Sequence, residues 1–462
     1  APSSGTASLR STDSAIIYTP EANFKGQVSL TYTLEDIPNA DAAPQQTTGT
    51  VVINVVAFAG SNDTGNSQTA GDALVKACDF VGLANSANLA EGPLALKQRC
   101  EGLVYLQINN PEAIDEVVRQ IAPEETLALS KAASAATQAV TGALDKRLSS
   151  LAGKNSFTLN NRQWDQQNSG AAAGDDLRSS PWSMFATVQI ETADKDRTIL
   201  ENGFTSSANS VLAGVDYQFN PAWVLGVGGA IGQNDMDFLN GDGTVSSDTQ
   251  SLLFYNLVNF SALSWDVQVG LSSSSYDINR RIHYKDNIDN QFVSAATTSG
   301  EQVFVSTSLQ YQYSKKALSL SPSIKIGISQ STLDAYGENN LGGYEVTIGE
   351  QKEQQTKIEA GLQGQYAVNF NWGVLMPTAG ATFISQTSSS RDNVSGTFAY
   401  GAPGDATFVM TPEEFDTSYY LVNLGTSAVL PNGFSLFLTA QQLMGYDNFS
   451  SQQYSLGGRM EF

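Results

Sequence analysis

The stretch QYSLGGRMEF (453–462) alternates without a break. Tyr454, Leu456, Gly458, Met460 and Phe462 fall on one face, and Gln453, Ser455, Gly457, Arg459 and Glu461 on the other. A strand sends successive side chains to opposite faces, so this period of two reads as a β-strand with one apolar face. The same pattern recurs upstream in ALSWDVQVGL (262–271), LSLSPSIKIGIS (318–329) and KIEAGLQGQYAV (357–368). In the second of these, Ile324, Ile326 and Ile328 oppose Ser323, Lys325 and Gly327.

A soluble sandwich alternates too, with its apolar face turned inward. Three features point to a membrane barrel instead. The strands run to roughly ten or more residues, the length a tilted strand needs to cross a bilayer. The polar face carries charges beside Gly, Ser and Gln, as a wet lumen allows. The connections alternate between short ones, such as Asn220-Pro221, Phe260-Ser261 and Pro431-Asn432-Gly433, and long ones near 192–204, 235–247, 278–300, 330–352 and 388–415. Short turns on one side and long loops on the other are a barrel signature. Aromatics such as Tyr217, Trp223, Tyr311, Tyr366 and Trp372 flank the short turns, where rings form an interfacial girdle. The spacing predicts about twelve antiparallel strands over 182–462, with both ends of the barrel on the short-turn side.

Upstream the character differs. Residues 1–58 contain strand-like runs at 16–20, 28–36 and 48–57, too few for an independent sandwich. A polar Gly/Ser/Asn linker opens the 59–112 segment. Leu103, Leu106, Ile114, Val117, Val118 and Ile121 then recur at helical spacing. Pro123-Glu124-Glu125 reads as a helix start, and 126–151 is Ala-rich and nearly free of bulky side chains. The helical region is bounded at 113–152, and a flexible connector at 153–181 leads into the barrel.

The composition excludes several classes. There are 46 acidic and 24 basic residues, a formal net charge of −22. That argues against nucleic acid as a partner, because phosphate binding needs basic stripes. No run of about eighteen apolar residues exists, so no transmembrane helix is expected. The opening APSSGTASLR has neither Met nor an apolar leader, so an exported chain would be a processed or truncated product. Cys78 and Cys100, a close pair, would form a disulfide in an oxidising compartment and otherwise remain two free thiols. His283 is the one histidine, no G-x-S-x-G elbow is present, and no phosphate loop or zinc set occurs. Neither catalysis nor a cofactor nor a metal is expected; Glu35 and Asp36 alone make no Ca²⁺ site.

Seven stretches stand out in order: the Cys pair, QIAPEE (120–125), DKDRTILENGF (194–204), GVDYQF (214–219), RRIHY (280–284), NWGVLMPTAGATF (371–383) and YSLGGRMEF (454–462). In their order and spacing these parts resemble the type V secretion autotransporters. Residues 1–58 resemble the end of a cadherin-like or bacterial Ig-like repeat, with YTP (18–20), a Phe24-Lys25-Gly26 turn and a strand ending at Glu35-Asp36. The resemblance implies a mainly β protein: a transmembrane barrel plugged by an α-helix, with a small β-sandwich-type passenger fragment ahead of it. It implies export and surface display of an adhesin-like passenger at the bacterial outer membrane. The implied partners are outer-membrane lipid, the β-barrel assembly machinery and periplasmic chaperones, with the barrel a monomer. The small residues Ala132, Ala136, Ala139, Gly142 and Ala143 would keep the pore helix slim. Lys146 and Arg147 would lie toward its periplasmic end, and with Lys131 would pair with lumen carboxylates such as Asp216, Asp266 or Glu359. Tyr454, Leu456, Met460 and Phe462 would form the C-terminal assembly signal. An omptin-like protease or a passive porin is the alternative. A single His disfavours the first, and the Ala-rich helix disfavours the second. Some relatives cut themselves at an Asn in the pore segment, but LNNRQWD (159–165) departs from that motif.

Overall fold

The computed structural model describes residues 2–10, 15–21, 24, 26–36, 44–55, 58, 65–152, 156–159, 162–165, 180–430 and 434–461. Twelve long strands form the barrel: β1 (Trp182–Lys195), β2 (Phe204–Asn220), β3 (Trp223–Phe238), β4 (Gly243–Phe260), β5 (Leu263–Lys285) and β6 (Ala296–Tyr311), then β7 (Leu318–Leu333), β8 (Gln351–Tyr366), β9 (Gly373–Arg391), β10 (Ser418–Val429), β11 (Phe434–Met444) and β12 (Phe449–Glu461). Each pairs antiparallel with its neighbours in sequence. The last strand closes on the first, Tyr454 opposite Ile190. Closure leaves no unpaired edge, which a lipid environment demands of a sheet.

Alternation in sequence becomes alternation in exposure. In β12, Tyr454, Leu456 and Met460 face outward at 51%, 56% and 43% exposure, while Gln453, Ser455 and Arg459 are buried in the lumen wall. The inverted pattern, with large apolar groups outside and polar groups inside, suits lipid and not water. At the short turns the outward rings pack together. Phe219 stacks on Trp223 at 4.3 Å, Tyr217 meets Trp182 edge-on at 4.8 Å, and Phe370 stacks on Trp372 at 5.2 Å. Ser261 and Lys316 take positive φ values of 59° and 55° in two of these turns, the twist that tight hairpins require. Phe462 lies outside the described residues.

The register sets up a charge test. Ile326 faces outward at 45% exposure, and Lys325 faces the lumen. Arg at a lipid-facing midplane position costs roughly 2–4 kcal/mol. Ile326→Arg is expected to impair assembly, while Lys325→Gln still yields a heat-modifiable barrel on gels. Equal tolerance of both would overturn the facing of β7.

Among the described residues four α-helices precede the barrel: α1 (Asn66–Gly82), α2 (Glu91–Asn109), α3 (Pro111–Ile121) and α4 (Ala128–Ala152). The helical periodicity over 103–121 divides at Asn110-Pro111, because Pro cannot continue α2 but suits the first turn of α3. All six apolar residues of that run are buried. They do not enter the pore. The helical region bounded at 113 therefore splits, with α3 joining α1 and α2 in a cap and only α4 running down the lumen. The Cys78–Cys100 disulfide staples α1 to α2, a closure of this loop length being worth about 3 kcal/mol.

The cap core is shared with the barrel's outer loops. Leu74, Leu96, Leu103 and Ile121 pack in one cluster with Tyr344, Val346, Phe398 and Phe408. The two long connections near 330–352 and 388–415 contribute a four-stranded sheet here, of Tyr336–Gly337, Val346–Ile348, Val394–Phe398 and Thr407–Met410. At the N-terminus, strands Thr6–Arg10 and Ala15–Thr19 pair, as do Gly26–Glu35 and Gln46–Val55. The first of these four escaped the sequence reading.

Candidate functional site

The lumen and its closure at the outer end form the site. α4 carries an apolar stripe, Val140, Leu144 and Leu148, at four-residue spacing. The stripe packs against Phe185, Leu212, Leu253, Tyr255 and Phe304, which point inward from β1, β2, β4 and β6. Large lumen-facing rings need room in the wall: a Cβ at Gly226 would collide with Tyr255, and one at Gly270 with Phe304. The helix therefore leans on one dry wall rather than standing free.

Small side chains allow the close approach only in part. Ala132, Ala139 and Ala143 are buried at 2%, 7% and 2% exposure. Gly142 differs from the expectation: a Cβ there meets nothing within 4 Å, because position 142 faces open space. The side chain of Ala136 lies outside the described residues. On the side away from the stripe, the lumen holds a cavity of about 350 Å³ and a second of about 140 Å³ nearer the short turns.

Ion pairs fix the helix at three heights. Near the short turns, Arg147 Nε donates to Asp216 Oδ2 at 3.0 Å and Nη2 to Ser183 Oγ at 2.7 Å. Tyr255 hydroxyl also donates to Asp216. At mid-lumen the polarity reverses, with Lys325 of β7 donating to Asp145 of the helix at 2.6 and 2.8 Å. At the outer end, Lys131 Nζ bonds Glu201 Oε2 at 2.5 Å. Arg391 bonds Glu201 at 3.1 Å and donates to the Leu127 carbonyl at 3.0 Å.

Of the expected carboxylates, only Asp216 receives a helix cation. Asp266 instead accepts from Gln268 at 3.2 Å. Lys146 donates to Ser455 Oγ at 2.8 Å and not to a carboxylate. The sequence reading missed Asp145 and Glu201. Asp145 sits beside Lys146 and Arg147 as a third charge in an otherwise neutral stretch, which was its available signal. Glu201 lies in the long loop that holds DKDRTILENGF (194–204), a stretch that carried the resemblance but did not single out this carboxylate.

The outer end is closed by the cap. Arg280, 1% exposed, holds Glu338 through Nε at 2.9 Å and Nη2 at 2.5 Å. Its Nη1 donates to the carbonyls of Gln120 and Ile121 at 3.0 and 2.7 Å, satisfying the end of α3. At the other edge, Asn66 Nδ2 donates to the Leu200 and Thr411 carbonyls, and its Oδ1 accepts from Thr411 N at 2.7 Å. Burial beside Asp242 and Glu338 pushes the Glu125 carboxyl up to about 8, despite Arg280. Its Oε2 has no partner among the described residues.

A carboxyl held protonated when buried favours docking below its free value of 4.5. That contribution is lost as pH rises from there through about 8, at about 1.4 kcal/mol per unit. Cap docking is expected to weaken between pH 6 and 8, and Glu125→Gln to flatten that slope. Hydrogen exchange of α3 measures both, and an unchanged slope in the variant would exclude Glu125 as the source.

His283 Nε2 lies 3.0 Å from Asp289 Oδ1 on the exposed outer part of β5. Glu35 accepts from Gln46 and Asp36 from Gln45 N. Among the described residues no cluster of three or more His, Cys, Asp or Glu could hold a metal ion. Asn160 and Asn161 lie outside the described residues. Among the described residues no helix is long and apolar enough to cross a membrane.

A closed twelve-stranded barrel with lipid-facing apolar groups, a helix in its lumen and a disulfide-stapled cap defines an outer-membrane translocator. The chain belongs to the autotransporter family: residues 184–441 match the Autotransporter beta-domain. Residues 1–54 match the Bacterial Ig domain. Among curated proteins no sequence relative matches the chain. The translocator domain of autotransporter NalP from Neisseria meningitidis is 12% identical, over 62% of this chain and 90% of that one, with a TM-score of 0.50. The beta domain of the Bordetella autotransporter Brka is also 12% identical, over 61% and 100%, with a TM-score of 0.44. The transport unit of AIDA-I from Escherichia coli is 11% identical, over 63% and 93%, with a TM-score of 0.38.

Proposed function

We propose that this translocator displays an adhesin-like stalk and performs no catalysis of its own. The observation that carries the reading is the order of parts along one chain. An Ig-type segment leads into a cap seated on the outer loops, then into a helix that threads the barrel. Phe58, immediately after the Ig-type segment, is fully buried in the cap core. That anchor would hold the stalk's base against the cell surface. The test is antibody access to residues 26–55 on intact cells, together with adhesion of those cells to host or abiotic surfaces. Loss of adhesion on shaving the stalk supports the reading. Access without any adhesion difference would leave display intact and remove the adhesin role.

Assembly of the barrel would use the β-barrel assembly machinery after periplasmic chaperones, with lipid as the barrel's other partner and the barrel itself a monomer. Tyr454, Leu456, Met460 and Phe462 are the residues proposed to be read as the signal. Deleting Phe462 is expected to cut cellular yield severalfold while changing refolded stability in detergent little. An unchanged yield would dispose of the signal.

A further inference from the structure

The contacts that hold α4 differ in how well they define its position along the pore. Its apolar stripe repeats every four residues, at Val140, Leu144 and Leu148. A slide of one turn toward the outer end would put Leu148 where Leu144 packs, and Leu144 where Val140 packs. The dry wall of Phe185, Leu212, Leu253 and Phe304 would keep two of its three large partners. Packing alone therefore discriminates poorly between neighbouring registers, as apolar seams between helices do.

The ion pairs discriminate well, because their signs alternate along the helix. Arg147 meets Asp216, Asp145 meets Lys325, and Lys131 meets Glu201. These are the charges of α4, with Lys146 beside them turned to the Ser455 hydroxyl. Lys131 and Arg147 lie sixteen residues apart, about 24 Å at 1.5 Å per residue. One turn outward, Leu151, Ser149 and Ala135 would stand at the three levels, and one turn inward Ala143, Thr141 and Leu127 would. Either slide takes the helix cation from Asp216, 1% exposed, and from Glu201, 2% exposed. Removing one partner from a buried charge is costly, and selecting a register is the best-attested use of such pairs. Glu201 also meets Arg391, at 3.1 Å, so the outer level discriminates least.

Longer slides match no better. About two turns outward, Lys154 would reach the level of Asp216, with Ala152 and Gln138 at the other two. Earlier in export, Lys131 would reach it with Leu129 and Asp115 at the others, and Asp115 repeats the sign of Glu201. Among the Lys and Arg of residues 1–152, Arg147 is the one with a carboxylate two positions before it. We propose that the three pairs form a register code that halts the exported chain at one position. It rests on the translocator role. Residues 1–127 pass without a match at this spacing, and the chain stops when Arg147, Asp145 and Lys131 meet their partners together. The stop leaves the end of α3 at the rim, where Arg280 receives the carbonyls of Gln120 and Ile121.

The test reads the register directly. Ser149 Oγ lies 3.2 Å from Gln310 Oε1 on β6. Ser149→Cys is combined in turn with Ser308→Cys, Gln310→Cys and Gln312→Cys, and a short bifunctional thiol reagent is applied to the full chain in detergent. With the charges of α4 intact, position 310 should link best, and positions 308 and 312 report slides outward and inward. Asp145→Asn with Arg147→Gln leaves the barrel's own residues as they are and should cut the preference for 310 at least about fivefold. An undiminished preference would show that the apolar stripe sets the register, and would overturn the code. Lys325→Glu should cut the preference likewise by facing Asp145 with a like charge, and adding Asp145→Lys should restore it. Failure to restore it, in a barrel that remains heat-modifiable, would also overturn the code. A merely supporting role would lower thermal stability in each variant and leave 310 preferred. On intact cells, Asp145→Asn with Arg147→Gln should leave arrival of residues 26–55 at the surface equal while the links spread. Normal arrival with a single link would sink the stop alone. Absence of arrival in the wild type would sink the translocator reading and the stop together.

Discussion

Removal of residues 126–152 is expected to raise single-channel conductance severalfold while the twelve strands remain closed. A barrel of this strand number holds one helix and little more, and an α-helix with side chains is about 10 Å across. α4 fills the half of the lumen lined by Phe185, Leu253, Tyr255 and Phe304. The other half already contains cavities of about 350 and 140 Å³. Without the helix the two halves merge into one water-filled path. Closure of the sheet does not depend on the helix, because every strand is paired on both sides, including β12 with β1. A probe on Ala139, 7% exposed, should be shielded from bulky soluble quenchers on both sides of the membrane in the intact protein. Planar-bilayer recording decides the matter. Unchanged conductance after the deletion, or free quenching at Ala139, would place the helix outside the pore.

The second large effect is expected at Arg280. This side chain joins three pieces, β5, the Glu338 loop and the end of α3, through four hydrogen bonds in a fully buried place. Arg280→Met would leave Glu338 charged and unpaired, and two carbonyls of α3 without donors. Breaking one partner of a buried pair in this way costs about 3–5 kcal/mol. The cap is expected to undock while the barrel stays folded. Protease added outside the cell would then cut near residues 122–127, where the wild type resists. Exchanging both partners, Arg280→Met with Glu338→Leu, should recover much of the loss, because no charge is then stranded. Equal protection of α1 to α3 in the single variant would show that the apolar core alone holds the cap.

These two effects differ in how visible their residues were beforehand. The barrel was legible because each transmembrane strand has a different solvent on each face. Lipid and lumen sort neighbouring residues, so Ile324, Lys325 and Ile326 state their own facing. α4 was legible for a related reason, since its small residues and terminal cations are local properties of one segment. Within it, the stripe of Val140, Leu144 and Leu148 marks which side meets the dry wall, although the wall that receives it is not local.

The cap was another matter. Helix periodicity showed that Leu103, Leu106, Ile114, Val117, Val118 and Ile121 would be buried, but not against what. Their cover comes from residues such as Tyr344, Phe398 and Phe408, more than two hundred positions downstream. Asn66 meets Thr411 across 345 residues. Such partners are chosen by loop geometry at the barrel rim, where a closed sheet brings distant loops together.

What the sequence by itself determined is therefore the barrel, its strand faces, the slender helix and the cysteine pair. Each follows from a periodic or compositional signal that physics reads locally. The tertiary structure alone decided that α3 belongs to the cap, that Asp145 and Glu201 rather than Asp266 and Glu359 receive lysines, and that the helix leans on one wall of the lumen with cavities on its other side. The reason is that burial can be inferred from one segment's pattern, whereas the pairing of charges depends on which segments the closed barrel brings within about 3 Å of one another.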